Sequence, residues 1–194
     1  MTRAKWAAEL AEVARHAGAE ILKIYAGDFA TQRKADHSPV TAADVAAEAV
    51  ILPALRRLAP DIAIISEEDS QQSGLPREAP SRFWLVDPLD GTKEFVARNG
   101  EFTVNIALIE DGRPVLGIVH LPALAQTYRG YDRVAERADD GASFTAIHAR
   151  RTPPEGAVMI ISRSHAAKEL VKAEEMGERI QGTRLVGEND ILHF

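Results

Sequence analysis

Two aspartates, Asp87 and Asp90, close the apolar run Trp84-Leu85-Val86, with Pro88 and Leu89 between them and Gly91-Thr92 directly behind. A second acidic cluster, Glu67-Glu68-Asp69, closes the run DIAIIS, Asp61 to Ser66. Carboxylates gathered at neighbouring strand ends repel each other unless cations neutralise them. Oxygen donors without sulfur suit a hard cation, Mg²⁺ above all. Pro88 fixes one backbone dihedral, which offers the Leu89 carbonyl as a further oxygen ligand. Gly91 lets a phosphate approach the backbone closely. Thr92 stands at the start of a helical turn, where free N–H groups favour an anion. Carboxylates for metals beside amides for a phosphate are the parts of a metal-assisted phosphatase site, where metals activate the attacking water and stabilise the leaving oxygen.

Other readings of the same residues stay open at this point. Asp-Pro and Asp-Gly also form turns, and Glu67 to Asp69 alone is more often a solvated strand end. A calcium loop of EF-hand type needs acidic residues at alternating positions, a spacing that Asp87-Pro88-Leu89-Asp90 lacks. LVDPLDGT is similar to the haloacid-dehalogenase motif, but Pro88 occupies the position of the nucleophilic aspartate. A phospho-aspartate intermediate is therefore not expected.

Several elements must position these groups. Trp6, Leu10, Val13, Ala17, Ile21 and Ile24 recur at helical spacing and predict an amphipathic helix from about Arg3 to Tyr25. A short strand is expected near Phe29 to Lys34. In HSPVTAADVAAEAVILPALRRLAP a second helix is expected, with Thr41 as N-cap, Asp44 in the first turn and Pro60 closing it. Pro53 should bend or break that helix. DIAIIS and RFWLVD read as strands, with a polar loop from Gln71 to Ser81 between them. Asp111-Gly112 between two apolar runs predicts a hairpin. A further strand pair is expected through Ala125 to Tyr131 and Ser143 to Ala149. Thr152 to Gly156 reads as a boundary. After it, AVMIIS predicts a strand, AAKELVKAEEMG a helix, and TRLVG the start of a second parallel strand. The expected class is α+β, with an N-terminal domain over 1–151 and a partial C-terminal α/β domain over 152–194.

Bulk properties narrow the partners. The chain of 194 residues is 45% hydrophobic and 27% charged, ordinary for a globular protein. A net charge of −6 argues against a nucleic-acid groove. Cysteine is absent, so disulfides and thiolate metal sites are excluded. The N-terminus is charged throughout and does not read as a signal peptide, and no segment is long and apolar enough to span a bilayer. The expected compartment is the cytoplasm, with peripheral membrane association left open.

WLVDPLDGTKEF together with ISEED resembles the inositol-monophosphatase-like superfamily of Mg²⁺-dependent, lithium-sensitive phosphatases. KADHSPVTAAD (Lys34 to Asp44), RNGEFTVNIALI (Arg98 to Ile109) and ISRSH (Ile161 to His165) are similar to its CysQ-type branch, the 3′(2′),5′-bisphosphate nucleotidases. The resemblance implies a layered αβαβα fold. It also implies that Glu67, Asp87, the Leu89 carbonyl and Asp90 hold the metal ions. Asp44 and Thr92 would form a pair that, with Glu67, orients and activates the water. Asp90, Gly91 and Thr92 would meet the scissile phosphate, and Ser164 and His165 the nucleotide. The implied substrate is a small phosphorylated nucleotide, adenosine 3′,5′-bisphosphate, with 3′-phosphoadenylyl sulfate as a second one. The implied setting is sulfate assimilation. An inositol- or sugar-phosphate phosphatase of the same fold and a non-catalytic remnant are the rival readings.

Up to Gly187 the chain follows the family pattern, and from Glu188 it does not. A later W-D-x-A-A-G-like motif, whose aspartate is a metal ligand in the family, has no counterpart in TRLVGENDILHF. The expectation from this departure is weaker metal binding, an exposed apolar face on the second domain and reduced activity.

Overall fold

The computed structural model describes residues 2–27, 39–67, 80–139, 141–149, 151, 158–160 and 184–186. The chain divides into two compact units, Met1–Ile147 and His148–Phe194.

Among the described residues, the first unit is a seven-stranded sheet with two long helices against one face. Strands β1 (Ala63–Ser66), β2 (Arg82–Asp90), β3 (Thr103–Glu110), β4 (Arg113–Leu121), β5 (Gln126–Tyr131), β6 (Val134–Asp139) and β7 (Thr145–Ala146) lie side by side in chain order. Only β1 and β2 run parallel among these pairs; the rest are antiparallel. Helix α1 (Arg3–Tyr25) lies over β3, β4 and β5, and α2 (Pro39–Leu58) packs beside it over β2. The α1 stripe read from the sequence is buried at Trp6, Leu10, Val13, Ala17 and Ile21. It meets alternate residues of the sheet, among them Trp84, Val86, Val104, Ile106, Leu108, Leu116 and Ile118. Trp6 and Trp84 meet edge to face, with ring centroids 5.5 Å apart.

Local chemistry explains where these elements depart from expectation. Helix α2 begins at Pro39, so Thr41 lies inside it and is not its N-cap; proline is preorganised for a first helical turn. The helix also runs through Pro53 to Leu58. The hairpin at Asp111-Gly112 forms as predicted, with both residues at positive φ (48° and 73°). Strand β5, in contrast, pairs with β6 and not with residues 143–149. Its turn, Asp132-Arg133, also holds two positive φ values, 43° and 69°, without the glycine that usually marks such a turn. The expected strand near Phe29 to Lys34 and the helix at Ala166 to Gly177 lie outside the described residues. In the second unit, β8 (Val158–Ile160) and β9 (Arg184–Val186) pair in parallel, as the sequence predicts. Among the described residues, no helix is long and apolar enough to cross a membrane.

One buried titratable group is built into the helix–sheet interface. His120, near the end of β4, is 6% exposed. Its Nδ1 lies 2.9 Å from the Gln126 carbonyl and 3.0 Å from the Thr127 hydroxyl. A carbonyl only accepts, so Nδ1 carries a proton. The far edge of the ring occupies the space left by Gly18 of α1, where a Cβ would come within 2.6 Å of Cδ2. Burial holds the His120 pKa down to about 4, the Gln126 carbonyl opposing this and Arg15 adding to it. The unfolded chain thus takes up a proton below pH ~6.5 that the folded one refuses until about pH 4. Stability is full above the unfolded value and falls as pH drops. Between pH 7.5 and 5 the loss is about 2 kcal/mol. Urea unfolding of the wild type and His120→Gln at both pH values checks this. The variant should lack that part of the slope; identical slopes would remove His120 as its source.

Candidate active site

The parallel pairing of β1 and β2 brings the two acidic clusters together. Ser66 pairs with Val86 in register, so the next residues, Glu67 and Asp87, leave the same edge of the sheet side by side. Antiparallel strands would have sent them to opposite edges. Ser66 and Val86 point to the helix face and are buried. Glu67 and Asp87 then fall on the other face.

A bulge adds Asp90 to this pair. Asp87 pairs with Asn105 and Asp90 with Thr103, so three steps on β2 oppose two on β3. Residues three apart on a regular strand face opposite ways. The one extra residue reverses that phase, and Asp90 returns to the side of Asp87. Burial follows the same count: Leu89 is 1% exposed in the helix-side core while Asp90 is exposed. The Asp87 carboxylate accepts from the Leu89 amide at 3.2 Å, which closes the turn locally. The Asn105 carboxamide donates to Asp90 Oδ2 at 3.2 Å.

The electrostatics record the crowding. Asp87 has its pKa pushed up to about 7, first by burial and then by the nearby Glu67 and Asp90 carboxylates. A side-chain hydrogen bond with Glu67 adds to the rise, and the Leu89 amide opposes it. Glu67 and Asp87 are thus in direct contact, with Asp90 acting through its charge. Among the described residues, no group of three or more acidic or imidazole side chains is gathered into a nest for a metal. The donor chemistry nevertheless fits a hard divalent cation: every donor is oxygen, and a cation would relieve the repulsion that holds a proton on Asp87.

Behind the carboxylates lies the turn into a short helix, α3 (Thr92–Ala97). Gly91 caps it at φ 87°, and a Cβ there would stand 2.8 Å from the Glu101 carbonyl oxygen. The first amides of such a helix have no intrahelical partners, and Gly91 supplies no side-chain cap. Phe95 locks α3 into the core against Tyr25 and Phe102, with ring centroids 5.2 Å away in both cases. Arg98 ends α3 and donates to the Tyr25 carbonyl at 2.7 Å and to the Gly27 carbonyl. Helix α2 packs against α3, so the elements that carry Asp44 and Thr92 are neighbours. Asp44 is buried, 6% exposed, and Thr92 is exposed.

Two contributors were not singled out in the sequence. Glu48, one turn after Asp44 on α2, accepts from the Ser66 hydroxyl at 2.6 Å. It ties the helix bearing Asp44 to the strand end bearing Glu67. Its position four residues after Asp44 was the available signal. Asn105 is the other, a lone amide inside the apolar run TVNIALI. Lys34, Glu68, Asp69, Ser164 and His165 lie outside the described residues.

Comparisons with known proteins agree on the ancestry. The inositol monophosphatase family pattern matches residues 3–187. A curated relative from Salmonella typhimurium, the 3′(2′),5′-bisphosphate nucleotidase CysQ, is 47% identical over 88% of this chain and 69% of its own length. The protein of the same name from Escherichia coli K12 is 45% identical over the same shares. Among solved structures, CysQ from Bacteroides thetaiotaomicron, described as a bacterial member of the inositol monophosphatase family, aligns with TM-score 0.77 and 28% identity. That alignment covers 94% of this chain and 72% of the other. An inositol monophosphatase from Zymomonas mobilis aligns with TM-score 0.72 and 27% identity, over 95% of this chain and 70% of its own.

Proposed function

Since the chain belongs to the inositol monophosphatase family, we propose that it is a phosphatase that removes the 3′-phosphate of adenosine 3′,5′-bisphosphate, with Mg²⁺ as cofactor. The products are AMP and phosphate, and 3′-phosphoadenylyl sulfate is a second substrate, which fits a role beside sulfate assimilation. The observation that carries this reading is 47% identity, across 88% of the chain, to a 3′(2′),5′-bisphosphate nucleotidase.

In this reading Glu67, Asp87, Asp90 and the Leu89 carbonyl hold Mg²⁺, which when bound polarises the phosphate and lowers the pKa of water. The chain's own residues do the rest. Amides of Gly91 and Thr92 hold the phosphate oxygens, which leaves the phosphorus open to attack from the far side. Asp44 accepts the Thr92 hydroxyl proton, so that the hydroxyl oxygen can accept from water and aim its lone pair, with Glu67 helping to hold that water. A P–O bond forms from water while the bond to the ribose 3′-oxygen breaks, and that oxygen leaves with a proton. No side chain is phosphorylated.

Phosphate release from adenosine 3′,5′-bisphosphate and from inositol 1-phosphate tests the reading, with Mg²⁺, with EDTA, and with Mg²⁺ plus Li⁺. Release from the nucleotide, abolished by EDTA and inhibited by Li⁺, is expected. Preference for the inositol ester would replace the nucleotidase with a sugar-phosphate phosphatase. Silence toward both substrates in a folded sample would leave a non-catalytic protein.

A further inference from the structure

We infer that Asn105 is a positioning residue that sets the orientation of Asp90 and thereby the affinity of the carboxylate cluster for a divalent cation. The inference rests on the metal-dependent reading above and assigns a part in it to a residue outside the ligand set. Asn105 is the cross-strand partner of Asp87, yet its side chain donates diagonally to Asp90 Oδ2 at 3.2 Å. Its backbone is thus in register with one of the two aspartates while its side chain bonds the other.

Asn105 alternates with residues of a different kind. Val104 and Ile106 on either side point into the helix-side core. Asn105 takes the opposite face, in register with Asp87 and within hydrogen-bond reach of Asp90. An amide suits this place for electrostatic reasons. Its N–H₂ fixes one oxygen of Asp90 and leaves the other available, while adding no charge. A lysine or arginine would occupy the cluster as a cation and compete with metal. A fourth carboxylate would raise the repulsion already felt at Asp87. Hydrogen bonds to a ligating carboxylate typically set metal affinity by tenfold or more when removed.

The test uses the full chain and the metal ions alone. Thermal unfolding is followed as Mg²⁺ or Mn²⁺ is titrated into metal-free wild type, Asn105→Ala, Asp90→Asn and the double variant. In Asn105→Ala, the concentration for half of the metal-induced Tm shift is expected to rise about tenfold. The metal-free Tm should change little, because the side chain lies on the less buried face. The double variant should be no weaker than Asp90→Asn, since Asn105 acts through Asp90. A lower metal-free Tm with unchanged half-saturation would make Asn105 merely structural and overturn the inference. Additive losses in the double variant would also overturn it, by giving Asn105 a route other than Asp90. A wild type whose Tm ignores both metals would remove the metal-dependent reading and this inference together, an outcome distinct from either of the others.

Discussion

Asp87→Asn is expected to lose roughly a thousandfold in phosphate release and yet to unfold later than the wild type when metal is withheld. The loss follows if Asp87 is the central carboxylate of the cation site, because a metal that stabilises developing charge contributes several kcal/mol. Asparagine keeps an oxygen for the Leu89 amide, so the local turn survives. The gain follows from crowding. Burial, Glu67 and Asp90 hold the Asp87 pKa at about 7, well above the ordinary 3.8. The folded state therefore binds a proton that the unfolded state has already released. That preference stabilises the metal-free protein below about pH 4 and is lost as pH rises through about 7. At pH 8 the wild type carries the full repulsion, and asparagine removes it. After screening of this half-buried group, the gain is about 1–2 kcal/mol. Urea unfolding in EDTA at pH 8, beside turnover with Mg²⁺, measures both effects. Unchanged turnover would make the Asp87 turn structural, and a less stable metal-free variant would mean that the carboxylates do not strain the fold.

The second large effect falls on the backbone. Gly91→Ala is expected to cost about 3 kcal/mol and most of the activity. At φ 87° an alanine bears a strain of about 1–2 kcal/mol. Its methyl would also stand 2.8 Å from the Glu101 carbonyl oxygen and 3.2 Å from the Phe102 Cα. Neither is a flexible side-chain tip, so the turn itself must yield, at a further 1–3 kcal/mol. Yielding moves Thr92 and the first amides of α3. Gly112→Ala separates the two contributions: φ is 73° there, but a Cβ would meet nothing within 4 Å. That variant should lose only the strain and keep its activity. Equal losses at both positions would show that crowding at Gly91 is unimportant.

Much of this arrangement is readable in the chain, for identifiable reasons. The α1 stripe, the strand ends at Glu67 and Asp87 and the hairpin at Asp111-Gly112 rest on local periodicity or turn chemistry, and local signals survive folding. The bulge does not, because its existence depends on what β3 offers opposite Asp87 and Asp90. The same holds for Glu48, whose partner Ser66 lies 18 residues away. The β5–β6 hairpin escaped because Asp132-Arg133 adopts a left-handed turn without glycine. Of the bend or break expected at Pro53, the break does not occur, because α2 carries the residue without ending. At the site, residue types announced the chemistry, while pairing across the sheet decided which of them meet.

The extra residue of the Asp87–Asp90 bulge has a consequence of parity. Along a strand each residue counts as even or odd, and one added or deleted residue exchanges the two classes for everything beyond it. The spacing of three between these aspartates and the bulge that absorbs it therefore belong together. Paired regularly, without the bulge, the same four residues would carry Asp90 to the side of Trp84 and Val86, and a group poised to hold a cation would become an unpaired charge in the core. The spacing DPLD is in that sense a checksum on the site: the letters name the ligands, and their count determines the side of the sheet on which they are read.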